Sequence, residues 1–142
     1  MGSDTSGFVA DLVGAVNTHD IDALMACFAE GYVNETPAHP ARSFVGTDQV
    51  RINWATIFQA VPDITAHVPA MAADGNTVWT EWSMDGTRLD GTPHHMRGVM
   101  IFQLVGRQAT AVRLYLEPLD EAPGDINAAV KVHVGLHDGR QS

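Results

Sequence analysis

Apolar residues recur at helical spacing in the first third of the chain. Phe8, Val9, Leu12, Val13 and Val16 share one face of a helix predicted over 4–18, with Asp4, Thr5 or Ser6 as cap. Ile21, Leu24, Met25 and Phe28 mark a second helix over 20–28, capped by Asp20 and stopped by Gly31. The short link between them predicts a helix hairpin. Residues 32–35 read as a strand end. Residues 36–46, with Pro37, Pro40 and Gly46, read as a loop. A third helix starts at Thr47 or Asp48, buries Val50, Trp54, Ile57, Phe58 and Val61, and stops before Pro62.

The second half changes period. Residues 64–72, 77–89, 94–105 and 109–118 are rich in Val, Ile, Thr, Trp, Met and Leu, and turn residues join them. Short joins predict four antiparallel strands in a meander. A short helix is expected over 125–136. Helices followed by a meander make an α+β fold, three N-terminal helices on a strongly curved antiparallel sheet. Such a sheet closes into a cone around an apolar pocket.

Alternation sorts the strand residues into two faces. Thr80, Trp82, Met84, His94, Met96, Gly98, Met100, Phe102, Val112, Leu114 and Leu116 share the apolar parity and are assigned inward. Trp79, Glu81, Ser83, His95, Arg97, Val99, Ile101, Gln103, Arg113, Tyr115 and Glu117 are assigned outward. The outward set mixes charge with apolar residues, as a homodimer interface does.

Composition narrows the partners. The chain has 142 residues and a formal net charge of −9, so nucleic acid and anionic membrane surfaces are not expected partners. Its one cysteine, Cys27, lies in an apolar helical segment and reads as a structural thiol. No apolar run approaches a membrane span, and no signal peptide is visible, so a cytoplasmic location is expected. His133 and His137 have helical spacing but lack an evident third ligand, so no metal or other cofactor is expected.

The order of elements resembles the nuclear-transport-factor-2-like superfamily, and within it the SnoaL-like polyketide cyclases. The resemblance runs from about Phe8 to Pro118. It rests on the hairpin Asn17-Thr18-His19-Asp20-Ile21-Asp22-Ala23-Leu24, on Phe28-Ala29-Glu30-Gly31-Tyr32, on Gly46-Thr47-Asp48, and on Arg113-Leu114-Tyr115-Leu116-Glu117-Pro118. It implies one domain over 1–142, with 119–142 as a C-terminal extension. Function varies within the superfamily, which includes isomerases, epoxide hydrolases, cyclases and non-catalytic binders.

Tyr32-Val33-Asn34 resembles the water-holding pair of limonene-epoxide hydrolases. Their Arg-x-Asp aligns with Trp82 and Met84, and their last-strand Asp aligns with Leu114, so the charged relay is missing. Glu35, close to Pro37, resembles the base of ketosteroid isomerases, but it alternates with Asn34, so only one of the two points inward. SnoaL-like cyclases use an inward Asp or His, and His94 is the titratable side chain of the meander that parity puts inside.

The expected site therefore has His94, Tyr32, Asn34 and Glu35 as catalytic groups. Trp54, Phe58, Trp82, Met84, Met96, Leu114 and Leu116 would shape a pocket for a hydrophobic small molecule. Glu117 is the catalytic alternative if the parity assignment fails. The expected chemistry is cofactor-independent proton transfer beside a carbonyl: isomerisation, aldol cyclisation or dehydration. A non-catalytic ligand-binding or dimerisation domain, or a divergent epoxide hydrolase, stands as the alternative.

Overall fold

The computed structural model describes residues 2–136. Its elements are α1 (Gly2–Asn17), α2 (Ile21–Met25), β1 (Phe28–Glu35), a 3-10 turn (Pro40–Arg42), β2 (Phe44–Val45), α3 (Thr47–Ala60), β3 (Thr65–Asp74), β4 (Thr77–Thr87), β5 (Pro93–Val105), β6 (Gln108–Pro118) and α4 (Ile126–His133). The class is α+β, with α1 and α3 packed on a curved, open six-stranded sheet of order β2-β1-β6-β5-β4-β3.

α1 buries its predicted stripe: Phe8, Leu12 and Val16 are all at or below 4 % exposure. Phe8 meets Phe102 edge-on at 4.8 Å, which seats α1 against β5. The α1–α2 link then docks on the edge strand β3. Asn17 clamps the Ala66 peptide, donating to its carbonyl at 3.0 Å and accepting its N–H at 2.6 Å. A ring nitrogen of His19 lies 3.0 Å from the Ile64 carbonyl. Asp20 caps α2 by accepting the Ala23 N–H at 3.0 Å.

The expected second helix is corrected. It ends at Met25 rather than Phe28, and Phe28 opens β1. Phe28 satisfies a helical stripe and a strand equally well, and long-range pairing decides between them. β1 runs parallel to β6, with Phe28 opposite Ala109 and Asn34 opposite Val112. Gly31 does not stop a helix. It sits inside β1 at φ 79°, where the register shifts. The predicted loop also contains the two-residue strand β2, whose Phe44 pairs with Asn34. The sheet is thus larger than the expected meander and carries one parallel pair.

The four predicted strands do form an antiparallel meander, β3 to β6. Register shifts at 67–70 in β3 and at 103–104 in β5 bend it. Pro69 is tolerated because β3 is an edge strand. Gly98 permits close approach to β6: a Cβ there would land on the Tyr115 carbonyl. No described helix is long and apolar enough to cross a membrane.

Candidate functional site

The concave face of the sheet, α1 and α3 enclose a cavity of about 240 Å³. Strand parity builds its sheet wall. Trp82, Met84, Met96, Met100, Phe102, Leu114 and Leu116 all line it. Its helical wall is Leu12 and Val16 of α1 and one stripe of α3: Val50, Asn53, Trp54 and Ile57. Asn53 escaped the sequence reading because a polar residue was not counted on an apolar stripe. Its spacing from Val50 and Ile57 is the signal that finds it.

Two polar groups of the wall are consumed within it. The Trp82 indole N–H donates to the Thr80 hydroxyl at 2.6 Å, and that hydroxyl donates to the Met100 carbonyl at 2.6 Å. Trp82 therefore presents only its ring to a ligand. Tyr32, Asn34, Asn53 and His94 remain at the lining, together with the indole of Trp54; Asn53 Oδ1 accepts from Gln49 Nε2 at 2.8 Å. Among the described residues no carboxylate lines the cavity.

Tyr32 and Asn34 point inward by alternation along β1, both buried. The Tyr32 hydroxyl donates to Asn34 Oδ1 at 3.0 Å, and Asn34 Nδ2 donates to Thr36 Oγ1 at 3.4 Å. Burial pushes the Tyr32 phenol well above its ordinary range, so it stays a neutral donor. The second amide N–H of Asn34 takes no protein partner among the described residues.

His94 is half-buried at the start of β5 and makes no protein hydrogen bond among the described residues. Burial, then the positive charges of Arg88 and His95, hold its pKa below 6.5, while Asp85 opposes them. At neutral pH it is an uncharged imidazole, able to accept a proton.

Three expected site residues lie elsewhere. Glu35 follows Asn34 in β1, so alternation puts it on the exposed outer face. Phe58 is turned away from the cavity and stacks on His19 at 4.7 Å. One residue beyond Ile57, it is rotated about 100° around α3, toward the α1–α2 link. Glu117 is not in the lining either; its carboxylate meets His39 Nε2 at 3.0 Å on the outer side. Cys27 is buried beside Ala23, and burial with the Asp11 charge pushes its thiol up to about 11, as in a structural cysteine. Among the described residues no group of three His, Cys, Asp or Glu is placed to hold a metal; His137 lies outside them.

An open cone of helices and curved sheet around an interior cavity defines the nuclear-transport-factor-2-like class of fold. The SnoaL-like domain profile matches residues 9–114, and the chain belongs to that family. A ketosteroid-isomerase-like hypothetical protein from Catenulispora acidiphila, solved with trimethylamine, is 16% identical with a TM-score of 0.67, over 95% of this chain and 97% of its own. An LEH-like epoxide hydrolase of M. tuberculosis is 16% identical with a TM-score of 0.69, over 81% and 84%. SalBIII, an epoxide hydrolase/cyclase-like enzyme of pyran ring formation in salinomycin, is 21% identical with a TM-score of 0.69, over 79% and 89%. At these identities the likeness is one of fold. Comparison with curated proteins finds no match.

Proposed function

We propose that this protein is a cofactor-independent enzyme that moves a proton beside the carbonyl of a hydrophobic small molecule. The observation that carries this reading is the placement of His94, without a protein hydrogen bond among the described residues, at the lining of a mainly apolar cavity that it shares with Tyr32 and Asn34. The imidazole takes the α-proton, leaving an enolate. Tyr32 and Asn34 supply N–H and O–H donors for the enolate oxygen, with the Tyr32 proton turning from Asn34 to the ligand. Return of the proton to another carbon isomerises the substrate. Attack of the enolate on a second carbonyl closes a ring. Epoxide hydration by an Arg–Asp relay is not favoured, since the residues that the resemblance aligns with that relay, Trp82, Met84 and Leu114, are uncharged and line the cavity.

The scarcity of polar lining favours one second reading, a binder without turnover. Deuterium exchange separates the two. In D2O, wild type is expected to accelerate loss of the α-proton NMR signals of 2-tetralone. His94→Ala should abolish that acceleration while the ketone still binds. Exchange should fall at low pH along a limb below about 6.5, because the low pKa keeps the imidazole neutral further into acid. Exchange retained by His94→Ala removes His94 from the role. A wild type that binds the ketone without exchanging it favours the binder.

A further inference from the structure

A groove of about 440 Å³ lies outside the cavity, between the last turns of α3 and the tip of the β4–β5 hairpin. Thr56, Ile57, Ala60 and Val61 form one side, and Arg88, Leu89 and Asp90 the other. Ile57 and His94 line both spaces, so they form the sill between them. The unbonded imidazole thus faces an apolar chamber on one side and a wider, outward-opening one on the other.

The two charges of the hairpin tip differ in availability. Asp90 is committed to the turn: its Oδ1 accepts the Thr92 N–H at 3.0 Å and the Thr92 hydroxyl at 2.6 Å. The Arg88 backbone is committed too, its N–H donating to the Thr92 carbonyl at 2.9 Å. Its guanidinium has no hydrogen bond or ion pair among the described residues. By contrast, Arg51, Arg97 and Arg107 are each paired with an aspartate. The Arg88 charge is felt at His94, after burial, as one of the influences holding that imidazole neutral.

We propose that the groove is the outer half of the substrate site and that Arg88 anchors a carboxylate there. The substrate is then an amphipathic carboxylic acid. Its apolar body fills the inner cavity, its reacting carbon lies at His94, and its anionic end rests against Arg88. This assignment rests on the cavity's being a ligand site, as proposed above. The overall field cannot supply such a preference, because a chain of net charge −9 repels anions. A preference for the anion has to be local.

The test is calorimetric binding of 4-(2-naphthyl)butanoic acid and of its primary amide, which has nearly the same shape without the charge. Wild type should bind the acid about fivefold more tightly at low salt, with the margin shrinking as salt rises. Arg88→Gln should remove that margin and leave amide binding unchanged, and Arg88→Lys should restore part of it. Leu114→Trp, which fills the inner cavity, should weaken both ligands. If Leu114→Trp weakens both but wild type binds acid and amide alike, or Arg88→Gln leaves the margin intact, the anchor is wrong and the cavity reading stands. If neither ligand binds, or Leu114→Trp changes neither, the cavity reading fails and the anchor falls with it.

Discussion

The two faces of β4, β5 and β6 are built from alternate residues of the same strands, yet they solve opposite problems. The inner face is apolar, and its few polar groups are bonded within the wall or aimed at the cavity, as with Thr80–Trp82 and His94. The outer face carries a cross-strand ionic set: Asp85 meets His95 at 2.6 Å and Arg97 at 2.9 Å, and Glu117 meets His39. Beside these charges, Trp79 and Tyr115 stay 48% and 41% exposed. The inner face holds the molecule together and shapes the site. The outer face has spare apolar surface, and we propose that it pairs with a second copy of the chain.

The largest expected difference between the faces is at their tryptophans. Trp82 is 1% exposed and Trp79 is 48% exposed, three residues apart in β4. Trp82→Ala should cost about 3–5 kcal/mol in urea denaturation, by loss of burial and creation of a void beside the cavity. Trp79→Ala should cost about 1 kcal/mol or less within the monomer. If the outer face pairs two copies, Trp79→Ala should instead lower the sedimentation coefficient in analytical ultracentrifugation. Equal losses of stability for the two variants would overturn the division of labour between the faces.

This division is legible in the sequence, because period-two alternation is a local property. Trp82, Met84, Met96 and Leu114 fall on the apolar parity, and they line the cavity. The third helix was legible too, from Thr47-Asp48 at its start to Pro62 beyond its end. What the chain concealed depends on distant partners. Phe28 continues the stripe of Leu24 and Met25, and only Ala109 on β6 turns it into a strand residue. β2 exists because Phe44 finds Asn34, and nothing in the polar loop around it signals that pairing. The choice between Asn34 and Glu35 was open for the same reason: alternation says that one is inside, and the register against β6 says which. Asn53 was legible but passed over, a polar residue on a stripe otherwise read for apolar ones.

A middle-sized effect probes the polar part of the inner face. Tyr32→Phe removes the hydroxyl that donates to Asn34 Oδ1, leaving a buried acceptor short of a partner. The expected cost is about 1–2 kcal/mol, measured as a lower urea midpoint with an unchanged slope. The same variant should slow α-proton exchange in 2-tetralone without abolishing it, since Asn34 retains an N–H. Unchanged stability would mean that water replaces the hydroxyl, and the inner face would then be wetter than its lining suggests.

The smallest effect belongs to the outer face and is read through pH. Asp85 is pushed up by burial, but the hydrogen bonds and charges of His95 and Arg97 outweigh that, so its carboxyl lies below the usual range. A depressed carboxyl contributes stability that is complete above its unfolded pKa of about 4 and is lost as pH falls through the lower folded value. All three side chains are 36–43% exposed, so water and salt screen the set. Asp85→Asn should therefore cost about 1 kcal/mol or less at neutral pH. The gap between wild type and Asp85→Asn in urea titrations should be present at neutral pH and close as pH falls below about 4. It should also shrink in high salt, whereas the cost of Trp82→Ala should not. A gap that persists at low pH would mean that Asp85 acts through packing rather than charge, and the outer face would then resemble the inner one more than its ion pairs imply.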